Sequence, residues 1–244
     1  MKGWFMKIIN AREQYMGNRP YSSMEALEDY AENTYSALMY LTLAFLPVTS
    51  LSVDHVASHI GKAAGITAVL RGLPLVAFPS PSSESSDDAG KGSSRGFSLT
   101  GRQGAVMLPL DVMAEAGVKE EEVFRQGAEA PGLKEAVFKV ATRAHDHLIT
   151  AHEMLNNLSQ GKAPGHAFEY EGQEGHFYTE TNRGEKTQLE DIERGFGVLL
   201  SSVSTKLWLE RLQVSDFDVF KPQLRTRDWK LPWRAYWAYT RKQI

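Results

Sequence analysis

Apolar residues recur at helical spacing along most of this chain, and this feature constrains its fold more than any other. Over residues 22–46 they lie three and four positions apart, and Ser22 followed by Glu25 forms a capping box that predicts a helix start. The same spacing returns in three later stretches, 52–71, 131–158 and 189–212. No stretch shows the strict alternation of a half-buried strand. We therefore predict an all-α fold.

Length and composition place these helices in one domain. A chain of 244 residues can bury one sizeable core, and two polar, Gly-rich stretches at about 79–104 and 161–187 are predicted to be insertions within it. The net charge of −3 shows no basic excess, so a nucleic acid is not an expected partner. The absence of cysteine excludes disulfides, thiolate metal sites and a cysteine nucleophile.

The beginning of the chain shows no targeting pattern. Residues 1–15 have neither the apolar core of a secretory signal nor the Ser- and Arg-rich, acid-poor composition of a transit peptide. Either there is no targeting segment, or the natural N-terminus lies upstream. The most apolar run, 37–48, is too short to cross a bilayer, and the next, 60–78, contains Lys62 and Arg71. Both runs are predicted to be buried helices.

Several motifs between residues 25 and 120 follow the order of a known family. Residues 65–72 read GITAVLRG where that family has a pattern close to Gln-Leu-Thr-Asn-Ile-Leu-Arg-Asp, and Met107-Leu108-Pro109 and Gly117-Val118 follow after a loop. Upstream, Tyr30–Ser36 stands at the place of its Tyr-Cys-x-x-Val-Ala-Gly. In this order and spacing the chain resembles the squalene/phytoene synthase superfamily. The resemblance implies an isoprenoid-synthase-type helical bundle, of which this chain would be the C-terminal two thirds, apparently lacking the N-terminal helices.

The second acidic motif of that superfamily is missing. Its enzymes hold magnesium ions with carboxylates on two facing helices, and these ions bridge the oxygens of a prenyl diphosphate. Here the motif reads Gly72-Leu73-Pro74-Leu75-Val76, with no acid in it. The departure implies a pseudoenzyme with no catalytic residue, no bound metal and no cofactor. The alternative is an active prenyl-diphosphate transferase of isoprenoid biosynthesis with a rearranged site that uses acids upstream.

A narrower resemblance concerns one non-catalytic branch of the superfamily. Residues 28–34, 38–43, 54–63 and 216–220 look like the branch that assists assembly of mitochondrial respiratory complex I. This resemblance implies that the partners are complex I subunits or assembly intermediates. It also implies a location on the matrix side of the inner mitochondrial membrane, with peripheral membrane contact.

The resemblance also indicates where a ligand cavity would lie. The candidate lining residues are Tyr30, Thr34, Gly61, Gly65, Ala68 and Arg71. Small residues four apart, including Gly61 and Gly65, would let another helix approach closely. A glycine inside a helix costs about 1 kcal/mol relative to alanine, so tight packing or a ligand must compensate.

The last helix, predicted from Asp228 onward, is rich in aromatic and basic residues. Its candidates for a membrane or partner surface are Trp233, Arg234, Trp237 and Arg241. Tryptophan favours the membrane interface, and cations favour anionic lipid. We favour the alternative that the rings bury in the core while the cations face water.

Two polar clusters resemble metal sites but lack suitable geometry. The acidic face of the first long helix is predicted to be solvated, and its members are Glu25, Glu28, Asp29 and Glu32. His145 and His147 point about 200° apart on a helix, and His152 lies about 10 Å along the axis from His145. His55 and His59 are one turn apart but have no clear third ligand. We predict no metal site.

Overall fold

A computed structural model describes residues 2–48, 50–79, 104–163, 165 and 185–244, with the side chains of the last range from residue 189 onward. Within these ranges the chain forms α-helices and no β-strand, which confirms the all-α prediction. The predicted insertions at about 79–104 and 161–187 lie mostly outside the described residues, so they and the single-domain assignment stay predictions.

The helices are, in chain order, α1 (Lys2–Gln14), α2 (Met24–Ala31), α3 (Ala37–Phe45), α4 (Leu51–Ala77), α5 (Leu110–Glu115), α6 (Glu120–Gln126), α7 (Leu133–Ser159), α8 (Glu185–Leu199), α9 (Ser201–Val214) and α10 (Leu231–Arg241). A π-helical segment, Glu32–Ser36, joins α2 to α3, and short 3-10 turns lie at Gly127–Glu129 and Pro222–Arg225.

Helix α4 is the central element. It packs lengthwise against α7 and also contacts α2, α3, α8 and α9, and Val56, Ile60 and Leu70 on it are fully buried. By length and composition α4 could cross a membrane, yet more than half of its apolar window is buried inside the protein. Its packing therefore identifies it as the core helix of this bundle.

Buried apolar residues form two clusters along α4. One joins α2, the second half of α4, the first half of α7 and α9. The other joins α1, α3, the first half of α4, the second half of α7 and α8. On α4 the boundary falls between Ile60 and Ala63, and on α7 between Leu148 and Ala151. Polar side chains meet near this boundary.

Two predicted helix ends are wrong. Ser23, not Ser22, caps α2, because its hydroxyl accepts from the Ala26 amide while the Met24 amide donates to Asp111 at 3.0 Å. Helix α4 does not end near Arg71 but continues through Pro74 to Ala77. Proline removes one helix hydrogen bond, and the burial of Pro74 and Ala77 offsets that loss.

The predicted helix over 189–212 is two helices that meet at Leu200. The hydroxyl of Ser202 donates to the Leu199 carbonyl at 2.6 Å, and that of Ser201 donates to the Val198 carbonyl at 3.3 Å. Such side-chain bonds compete with the helical ladder, which explains the break between α8 and α9.

Candidate functional site

The glycines of α4 let the α2–α3 helix approach it at close range. A Cβ added to Gly65 would lie 2.5 Å from the Cβ of Ala31, and one added to Gly61 would lie 2.5 Å from the Cα of Ser36. Both distances are too short for two carbon atoms that are not bonded to each other. The close approach predicted from the small residues is therefore confirmed, and helix packing, not an open space, occupies the positions next to these two glycines.

The other cavity candidates lie around the same contact. Thr34 is buried, and its hydroxyl donates to the Tyr30 carbonyl at 2.5 Å. The half-buried ring of Tyr30 packs in an aromatic group with Tyr15 and Tyr21. Ala68 is half-buried, and Arg71 is exposed. The predicted role of these six residues in holding a ligand remains a prediction.

Glu32 is half-buried, and its carboxylate faces α3 and α4 and not a solvated surface. One of its carboxylate oxygens accepts from the Tyr40 hydroxyl at 2.6 Å, and the other accepts from the Ser58 hydroxyl at 2.8 Å. Burial, followed by the nearby charge of Glu32, raises the pKa of Tyr40 well above its ordinary value. Glu32 thus ties the π segment and α3 to α4.

Glu28 forms a second interior group that links α2 to α7. Its carboxylate accepts from the guanidinium of Arg143 and lies 3.3 Å from Nε2 of His147. Burial alone would raise the pKa of Glu28, but the hydrogen bonds from His147 and Arg143 lower it to about 2. The predicted solvated face is therefore wrong for Glu28 and Glu32, whereas Glu25 and Asp29 are exposed.

Two histidines extend this group toward α4. Nδ1 of His147 lies 2.9 Å from Nδ1 of His59, and the centre of the His59 ring lies 5.2 Å from that of the tilted His55 ring. One nitrogen of the close pair donates and the other accepts, so the two rings cannot both be doubly protonated without losing this bond. Among the described residues, no group of three or more His, Asp or Glu side chains is arranged to hold a metal ion.

Position 72 of α4, where the motif resemblance predicts an acid in related enzymes, has room for a side chain. A Cβ added to Gly72 would meet nothing within 4 Å. Packing therefore does not require a glycine at this position. Within the motif, Leu73 and Pro74 are buried and Leu75 is exposed.

Helix α10 exposes its aromatic residues. The side chains of Trp233 and Trp237 are 65% and 54% exposed, and no residue of α10 is buried. The favoured interpretation that these rings bury in the core is therefore wrong. Arg241 lies 5.0 Å from the centre of the Trp237 ring, and Arg234 forms an ion pair with Glu210 of α9 at 3.4 Å.

Sequence reasoning missed most of the interior polar group. Glu28 and Arg143 are 115 positions apart, and His59 and His147 are 88 apart. No local spacing could pair them. The sequence showed only that Glu28 and Glu32 lie on the same face of a helix. That placement fits a solvated face as well as an interior one.

The chain belongs to the squalene/phytoene synthase family, because the sequence pattern of that family matches residues 1–76 and 94–237. The helical fold agrees with this assignment. The resemblance stated from the motifs is thus confirmed. No solved structure matches the chain.

Several similar proteins carry the name of a complex I assembly factor or of its homolog. The chain is 33% identical to "NADH dehydrogenase (ubiquinone) complex I, assembly factor 6" of Mus musculus, over 99% of this chain and 55% of that protein. It is 30% identical to the Homo sapiens protein of that name over the same shares. The homolog of Dictyostelium discoideum is 28% identical, over 90% of this chain and 46% of its own length. The chain therefore spans about half the length of these relatives.

Proposed function

We propose that this protein assists the assembly of mitochondrial respiratory complex I and does so without catalysing a reaction. The observation that carries the proposal is the alignment of 99% of the chain with relatives named as complex I assembly factors. In this account the protein binds complex I subunits or assembly intermediates. It acts in mitochondria, on the matrix side of the inner membrane.

The chemistry of α4 supports the non-catalytic part of the proposal. Prenyl-diphosphate ionisation needs magnesium held by carboxylates, and residues 72–76 supply none. Two interior acids of the described chain, Glu28 and Glu32, are engaged by Arg143, His147, Tyr40 and Ser58. These acids hold helices together and are not free to bind a metal ion.

Helix α10 is the surface that we assign to membrane contact. Exposed tryptophans beside arginines suit the interface between lipid headgroups and water, where indole rings and cations are both favourable. Trp233, Trp237, Arg234 and Arg241 provide this combination. A peripheral contact of this kind would place the helical bundle next to membrane-bound assembly intermediates.

Restoring the missing acid tests the non-catalytic claim. Because a side chain fits at position 72, Gly72→Asp should fold normally, and it should restore complex I in cells lacking the gene as well as the wild type does. Purified protein should release no diphosphate from a long prenyl diphosphate with magnesium present. Magnesium-dependent release by the wild type would instead establish the prenyl transferase.

A further inference from the structure

Positive charge is concentrated at the C-terminal end of the described chain. From residue 221 to residue 244 there are seven Lys and Arg residues and a single acid, Asp228, although the whole chain has a net charge of −3. Such an asymmetry indicates a surface that attracts anions.

A groove of about 400 Å³ runs between α9 and the segment that leads into α10. Its cations are Arg211, Lys221, Lys230 and Arg234. The volume lies in the range of small-molecule sites. The apolar side chains of Leu207, Val214 and Leu224 also line the groove, together with the acids Glu210 and Asp228.

Three of these four cations form no ion pair with an acid among the described residues. Arg234 pairs with Glu210, and Arg211 donates to the carbonyls of Gln223 and Thr226, which fixes its position. The structure gives the ammonium groups of Lys221 and Lys230 no acidic partner among the described residues. With four cations against the two acids Glu210 and Asp228, the groove therefore carries a net positive charge.

A second groove of about 190 Å³ continues from the first. The two share Leu207 and Arg234, and the second is lined also by Val203, Trp237 and Arg241. Cations thus lie along both grooves, next to an apolar floor and the exposed rings of α10. An amphiphile with an anionic head and apolar chains matches this arrangement.

We propose that the first groove, between α9 and the segment that leads into α10, binds the phosphate headgroup of an anionic phospholipid at a bilayer surface. Lys221 and Lys230 contact the phosphate oxygens, while Trp233 and Trp237 enter the interfacial region. This inference deepens the membrane contact in the proposed function and rests on it. Exposed tryptophans favour a lipid surface over an acidic peptide, because indole rings partition into the headgroup region.

Flotation of the purified full chain with vesicles tests the groove. The wild type should bind vesicles of phosphatidylcholine with phosphatidylglycerol more tightly than vesicles of phosphatidylcholine alone. Lys221→Gln with Lys230→Gln should weaken binding to the anionic vesicles about tenfold or more, since each cation near the surface contributes about 1 kcal/mol. Trp233→Ala with Trp237→Ala should weaken binding to both vesicles.

A matched control removes the same charge elsewhere. Lys119→Gln with Lys162→Gln changes two exposed lysines outside the groove and should weaken binding less than about twofold. Equal losses in the two double variants would overturn the site. Binding of glycerol phosphate or an acidic peptide without binding of vesicles would overturn the lipid assignment. Because only purified components are used, a negative result leaves the complex I proposal standing.

Discussion

Glu28 shows how a single residue can join two distant helices. Its carboxylate on α2 meets Arg143 and His147 on α7, and the hydrogen bonds they form hold its pKa near 2. A carboxyl group whose pKa is lowered by folding stabilises the folded state above its unfolded pKa of about 4.5. That contribution is lost as the pH falls from about 4.5 toward 2.

Replacement of this acid should be costly at neutral pH. Glu28→Gln should lower the free energy of unfolding by about 2 to 3 kcal/mol at pH 7, because the pKa difference corresponds to about 3 kcal/mol. Urea unfolding at pH 7 and again at pH 3.5 checks this, and the difference from wild type should shrink at the lower pH.

Glu25→Gln is the control for that comparison. Glu25 lies on the same helix but is exposed, so its replacement should change stability by less than about 0.5 kcal/mol at either pH. If both variants unfold alike, the interior position of Glu28 is contradicted.

At the level of single residues, the sequence could predict only which side chains share one face of a helix. The register of Glu25, Glu28, Asp29 and Glu32 was readable, but which of them face α4 and α7 depends on packing of segments far apart in the chain. The interior contacts of Glu32 with Tyr40 and Ser58 therefore needed the structure.

At the scale of elements, the contact between α4 and the α2–α3 helix depends on two positions without side chains. Gly61→Ala would place a methyl group against the backbone of Ser36 and should destabilise the fold by about 2 kcal/mol or more. Gly72→Ala on the same helix meets open space and should stabilise by about 0.5 to 1 kcal/mol, through helix propensity.

Thermal or urea unfolding of the two variants measures this difference directly. Opposite signs for Gly61→Ala and Gly72→Ala are the expected result. A stabilising Gly61→Ala would show that the helices are not in close contact there.

The presence of the main helices was predictable from the sequence, because the spacing of apolar residues is a local property of the chain. The stretches 22–46, 52–71 and 131–158 each correspond to helices in the structure. The π segment Glu32–Ser36, the passage of α4 through Pro74 and the break at Leu200 were not predicted. The break at Leu200 depends on serine hydroxyls that bond to backbone carbonyls, and the passage through Pro74 depends on burial that offsets a lost hydrogen bond. Apolar periodicity reveals neither of these.

At the scale of the whole molecule, membership of the squalene/phytoene synthase family accounts for the helical bundle. The proposal that the protein acts without catalysis rests on α4. The central helix has small residues that allow close packing, and its residues 72–76 include no acid. Exposed aromatic rings on α10 add a surface that the core does not require. A scaffold that contacts partners and a membrane is consistent with all three features.

The most direct test of this account is a native-gel comparison of respiratory complexes in mitochondria with and without this gene. The account predicts loss or strong reduction of complex I while the other respiratory complexes stay intact, and recovery when the wild-type gene or Gly72→Asp is returned. Unchanged complex I in the absence of the gene would contradict the central claim.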